Sequence, residues 1–131
     1  MAASSTSPNK GVKNNSIIKL DLSEVTNDYG GSNFIKDFEY KETNRDGLVD
    51  VLMAIDHAKN DDKIKGITLD NNMSLLGYTQ RKAIREKLVE FKKTGKFVLS
   101  YADNYSQAEY YMSSVADTIY VNPLGGIDFK G

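Results

Sequence analysis

The 131-residue chain has no cysteine and one histidine, His57. The first absence removes disulfides, thiolate nucleophiles and zinc–thiolate sites together, while leaving the compartment open. The second leaves a single imidazole for any Ser-His-Asp arrangement, which needs its histidine in a cleft. His57 instead falls about 180° from Leu48 on a helical wheel, on the solvent side. No apolar run approaches the roughly 20 residues that cross a bilayer. The opening MAASSTSPNKG lacks the basic start and apolar centre of a signal peptide, so any anchor or export signal is expected outside this chain. Neither GxGxxG nor GxxxxGK[ST] occurs, which leaves phosphate cradling by a glycine-rich loop unsupported. With 17 basic and 18 acidic residues the net charge is −1. Basic clusters such as Lys92-Lys93 are too short to recruit nucleic acid by counterion release.

What remains is ordinary globular material, 40% hydrophobic and 27% charged, long enough for one core without metals or crosslinks. Residues 1 to 15 (MAASSTSPNKGVKNN) have no apolar period and read as a flexible lead-in. Residues 16–131 read as the folded domain. Ser16–Leu22 alternates as a strand, Asn27–Gly31 breaks it, and Phe34–Tyr40 fits either a short edge strand or a loop. Asp46 is placed to cap a helix over 47 to 59, with Leu48, Val51, Leu52 and Ile55 on one arc. Ile64–Leu69 is a short buried strand. A second helix starts near Tyr78 or Thr79 around Ile84, Leu88 and Phe91, and Gly95 stops it. Lys96–Tyr101 is a strand, 107 to 115 a helix, and Thr118–Asn122 a strand stopped by Pro123. A further start follows Gly125-Gly126 at Ile127. Three alternations of strand and helix predict an α/β fold of right-handed βαβ units around a mainly parallel sheet.

Few residues offer chemistry. Asp61-Asp62 and Asp70-Asn71-Asn72 lack the spacing and central glycine of a calcium loop and read as turns, so no metal and no cofactor is expected. Three Asn-x-Ser triplets begin at Asn14, Asn72 and Asn104, as chance would give in a chain rich in both residues. Ser106 follows a strand and opens a helix, which is how several hydrolases display a nucleophile. Asn104 and Ala108 stand where a GxSxG elbow needs glycine. Ser106-Gln107-Ala108-Glu109 instead matches S-x-x-E, the capping box. Local chemistry therefore makes Ser106 and Glu109 a helix cap.

The stretches GLVDVLMAIDHAKNDDKIKGITLD and LVEFKKTGKFVLSYADNYSQAEYYMSSVADTIYVNPLGGIDFKG, in that order, closely resemble the amino-terminal domain of the signal peptide peptidase A (protease IV, peptidase S49) family. The resemblance runs from Ser16 to the end. It implies a crotonase/ClpP-like fold, a membrane-anchored serine peptidase that degrades residual signal peptides, and a homo-oligomer. It also implies the inner membrane, with the domain on the extracytoplasmic, periplasmic side and the anchor outside this chain. In this family a serine of the carboxy-terminal domain attacks, and a lysine of the amino-terminal domain is the base. The family's Ser-Gly-Gly-Tyr-Tyr pattern, aligned on Tyr110-Tyr111, puts the nucleophile position at Gln107 and the glycines at Ala108 and Glu109. The base lysine is expected beyond Gly131. The oxyanion glycines correspond to Asp70-Asn71-Asn72-Met73, a stretch without glycine. The expected piece is a scaffold and groove wall, inert alone, with Tyr101, Asn104, Tyr105 and Gln107 in contact with peptide. The alternatives are a non-catalytic oligomerisation or peptide-binding module of the same fold and, more weakly, a crotonase-class acyl-CoA enzyme, for which no acid/base pair or basic nucleotide site is present.

Overall fold

The computed structural model describes residues 12–25, 28, 47–72 and 74–130. Most of the lead-in, Asp46 and the ambiguous Phe34–Tyr40 stretch lie outside these residues.

Strand β1, Ser16–Asp21, ends one residue before the expected Leu22. The cause is local: Asp21 Oδ1 accepts hydrogen bonds from both the Ser23 amide (3.0 Å) and its hydroxyl (2.6 Å), and this turn chemistry winds Leu22–Glu24 into a single 3-10 turn. Helix α1 covers Leu48–Asn60 and its N-cap is Gly47, not Asp46. Asp50 at the third helical position accepts from the Gly47 amide at 3.0 Å, and its charge suits the helix N-terminus. Val51, Ile55 and Ala58 face inward, as their spacing requires, whereas His57 is exposed.

Strand β2 spans Ile64–Asp70 and helix α2 Tyr78–Lys92, with Ile84, Leu88 and Phe91 fully buried. Each such side chain contributes about 1.5–3 kcal/mol over its exposed state. Beyond α2, Gly95 takes φ +83°, the left-handed conformation that glycine adopts without penalty. Lys96 then sends its ammonium group across to α1, donating to the carbonyls of Ala58 (2.6 Å), Asp61 (2.8 Å) and Lys59 (3.1 Å). These are end-of-helix carbonyls that otherwise lack partners.

Strand β3 is Phe97–Ala102, followed by the two-residue strand β4, Tyr105–Ser106. Helix α3, Gln107–Ser113, is two residues shorter than expected. Ser114 donates its hydroxyl to Tyr111 O at 2.7 Å, and the chain leaves the helix in turns. Strands β5, Thr118–Val121, and β6, Ile127–Asp128, complete the order. The main sheet runs β1-β2-β3-β5 and every pair is parallel; β4 and β6 form a separate parallel pair. This is an α/β fold on a parallel sheet.

Helices α1 and α2 pack together and α2 packs on α3, forming one layer against the sheet. Val98, Ser100 and Ala102 of β3 point into that layer and are buried, while Phe97, Leu99 and Tyr101 alternate onto the half-covered opposite face. Among the described residues no helix is long and apolar enough to cross a membrane.

Candidate functional site

In a parallel sheet the carboxyl ends of the strands open toward the crevice where α/β proteins bind ligands. Here those ends are polar. β2 delivers Asp70-Asn71-Asn72, β3 delivers Asp103-Asn104, and β5 delivers Asn122. Tyr101 donates its hydroxyl to Asp103 Oδ1 at 2.7 Å, and the Asn122 amide donates to the same oxygen at 3.0 Å. The Asp103 amide donates to Asn72 Oδ1 at 2.6 Å, Asn72 donates to Asp70 Oδ1 at 2.9 Å, and Lys19 pairs with Asp70 at 2.9 Å. The Asn122 and Tyr101 donors hold the Asp103 carboxyl below the ordinary carboxylate range. The same bond to Asp103, with burial second, pushes the Tyr101 hydroxyl up, so Tyr101 stays a proton donor at neutral pH.

The turn after β5 approaches this edge closely. A Cβ on Gly125 would lie 1.6 Å from the Asp103 carbonyl oxygen, so only glycine fits. The contact brings β6 beside β4, and the Tyr105 amide donates to Gly126 O at 3.0 Å.

Under the edge lies a buried polar chain. Asn71 Nδ2 donates to Glu109 O (3.2 Å) and to Ser113 Oγ (3.1 Å). Ser100 donates to Ser113 Oγ at 2.8 Å and meets the Tyr105 hydroxyl at 3.0 Å; that hydroxyl also reaches Tyr120 O at 3.2 Å. Asn71, Ser100, Ser113 and Tyr105 are all essentially inaccessible to solvent. Burial pushes the Tyr105 hydroxyl up, against the lowering effect of its serine partners. A buried network of this kind fixes geometry rather than supplying a reactive group.

Above it, Ser106 opens α3. Its Oγ accepts from the Glu109 amide at 3.3 Å, and its amide donates to Glu109 Oε2 at 2.8 Å. The Glu109 amide is the one hydrogen-bond partner of that hydroxyl among the described residues. Gln107, the first residue of α3, is exposed. Two cavities flank this start. One, of about 410 Å³, lies on the α2 side and is lined by Tyr78, Arg81, Gln107, Ala108 and Tyr111. The other, of about 400 Å³, lies on the β6 side and includes Asn104, Tyr105, Ser106 and Glu109.

The four residues singled out for peptide contact are therefore not brought together. Asn104 and Tyr105 line the β6-side cavity, where Asn104 accepts from the Gly126 amide at 3.1 Å and Tyr105, 1% exposed, is floor. Gln107 faces the other cavity. Tyr101 lies on the half-covered sheet face, tied to Asp103. At the turn after β2 the Asn71 amide donates to Tyr101 O at 2.9 Å, so that N–H continues the β ladder. Sequence reasoning passed over Tyr78, Arg81 and the wall role of Tyr111. Their one sequence signal is spacing: Tyr78, Arg81 and Arg85 recur at i, i+3 and i+7 on α2, one stripe of a helix.

Residues 90–131 match the sequence model of Peptidase family S49. The chain is similar to Protease 4 of Haemophilus influenzae, 45% identical over 83 residues, which is 63% of this chain and 14% of that protein. It is 39% identical over 85 residues to Protease 4 of Salmonella typhi, which is 64% of this chain and again 14% of the relative. The chain thus spans about one seventh of the length of these curated relatives.

Proposed function

We propose that the chain is a segment of a peptidase of family S49, and that it supplies scaffold and one groove wall to a longer Ser/Lys signal-peptide-degrading peptidase without cleaving peptides itself. The observation that carries this reading is the start of α3. The position aligned with the family nucleophile holds Gln107, whose amide cannot attack a carbonyl. The neighbouring Ser106 hydroxyl is engaged by the Glu109 amide instead of a base. His57 is exposed on α1, away from this segment. In this reading the base lysine, the attacking serine and the membrane anchor all lie elsewhere in the longer protein, which assembles as a homo-oligomer.

The test compares peptide cleavage by the full-length protein with cleavage by the 131-residue chain. The reading expects turnover from the first alone. Cleavage by the full-length protein that survives loss of its carboxy-terminal serine, yet disappears on Ser106→Ala, would contradict it.

A second reading, an interaction module without chemistry, draws support from one observation. Tyr120, Leu124, Ile127 and Phe129 are 54%, 97%, 45% and 57% exposed, on consecutive segments around β5 and β6. A full-length protein with no peptidase activity under any condition would favour it.

A further inference from the structure

The cavity between α2 and α3 has a chemical character that the proposed scaffold role does not require. Tyr78 and Tyr111 stack at 5.9 Å with 23° between their rings. The Arg85 guanidinium lies over the Tyr111 ring at 5.2 Å, so a cation and a second ring brace that wall. Arg81 projects from the same helix stripe into the cavity lining. Its guanidinium donates to Ser74 O at 3.2 Å, and its buried Nε has no partner among the described residues. All eight ion pairs among the described residues use lysine; neither Arg81 nor Arg85 meets a carboxylate there. Among the described residues, then, Arg81 lines an aromatic-walled cavity and Arg85 backs its wall, with no carboxylate paired to either. Gln107 adds an amide able both to donate and to accept.

Stacked aromatic walls suit an apolar side chain. An arginine fork suits a planar carboxylate, which it binds with two parallel donors where a lysine offers a point charge. A primary amide suits a peptide bond. These three requirements coincide at the carboxyl end of a peptide whose last residues are apolar. We propose that this cavity is a non-catalytic binding site for the C-terminal carboxylate of an apolar peptide, with Arg81 on the carboxylate, Tyr78 and Tyr111 on the side chains and Gln107 on the last amide. The proposal rests on the peptidase-segment reading for the source of such ends, since each cleavage creates one. A volume of about 410 Å³ admits one or two residues, not a folded partner.

The 131-residue chain is titrated with acetyl-Ala-Leu-Ala-Leu as the free acid, as its C-terminal amide, and as an amide carrying an internal aspartate, with binding read by calorimetry and by the tyrosine ring signals in NMR. The free acid is expected to bind about tenfold more tightly than either amide. In Arg81→Gln that preference should vanish, and in Arg81→Lys it should return in part. Equal binding of acid and amide by the unaltered chain overturns the proposal without any variant having to fold. So does an internal aspartate that matches the free terminus, or an acid preference that persists in Arg81→Gln. Cleavage by the full-length protein is measured separately. Activity there with no acid preference here would sink the site and leave the peptidase reading standing; an acid preference with no activity would do the reverse.

Discussion

Asn71 donates from Nδ2 to Ser113 Oγ at 3.1 Å, joining the end of β2 to the last residue of α3 across 42 positions of sequence. The same nitrogen reaches Glu109 O at 3.2 Å. Asn71 therefore fixes how α3 sits over the strand ends, and with it where Gln107 and the two cavities lie.

Asn71→Ala removes both bonds and leaves the buried Ser113 hydroxyl with Ser100 alone, which costs about 1–3 kcal/mol. Urea denaturation should show that loss. Asn72→Ala removes a part-buried bond to Asp70 and an exposed one from the Asp103 amide, groups that water can reach, and should cost less than half as much. Equal losses at the two positions would mean that Asn71 is not the clamp.

Ser106→Ala and Glu109→Ala each open one half of the capping box. Each should lower stability by about 1 kcal/mol, and Ser106→Thr, which keeps the oxygen, should recover most of it. In the full-length protein Ser106→Ala should leave the rate constant of cleavage within about twofold of wild type, since a cap is not a nucleophile.

Gly125 cannot carry a side chain beside the Asp103 carbonyl. Gly125→Ala should displace the turn, separate β6 from β4 and cost about 1–3 kcal/mol by overpacking. Gly126→Ala, with open space at its Cβ, is the control and should be close to neutral. Amide exchange at Tyr105, whose N–H bonds Gly126 O, should accelerate in the first variant alone.

Two ion-paired carboxylates add to Asp103 in setting the acid limb of the pH dependence. Asp56 is held below the ordinary range by Lys87 at 2.8 Å, with Lys59 at 3.4 Å also lowering it. Asp117 is lowered by Lys92 at 2.8 Å and then by the Val98 amide at 2.8 Å. A carboxyl depressed in the folded state contributes stability above its unfolded value of about 4, and that contribution disappears as pH falls through the folded value. The urea midpoint should therefore drop between about pH 5 and pH 2, and Asp56→Asn with Asp117→Asn should flatten that limb. At the alkaline end the sign reverses. The raised Tyr105 hydroxyl contributes fully below about 10, and its contribution is lost as pH rises through the higher folded value.

Much of the fold is legible in the sequence because it rests on local period and punctuation. The alternation of Ser16–Asp21, the stripe Ile84, Leu88 and Phe91, and the left-handed Gly95 each act within a few residues. The α/β alternation follows from them. The end of β1 has no such local signal, since Asp21 diverts Ser23 into a turn through side-chain bonds that compete with the ladder. The same competition at Ser114 shortens α3. The cap at Gly47 departs from the expected Asp46 because the carboxylate serving that helix is Asp50, from inside the first turn. The site itself depends on distance in sequence. The pairing of β4 with β6 needs the Gly125 approach to Asp103, and the burial of Tyr105 needs Ser100 and Tyr120 around it. The cavity wall of Tyr78, Arg81 and Tyr111 joins two helices whose packing no local pattern encodes. A tyrosine in a polar loop looks like a contact residue until its neighbours are known; for Tyr105 they make it floor.

On the proposed reading the start of α3, with Gln107 exposed and Ser106 held in the capping box, carries no nucleophile. The most direct measurement incubates the purified 131-residue chain with a fluorogenic apolar peptide at neutral pH and follows release of the fluorophore, alongside Ser106→Ala and Gln107→Ala. The predicted result is no turnover above the buffer blank in any of the three. Turnover by the unaltered chain that either substitution abolishes would contradict it.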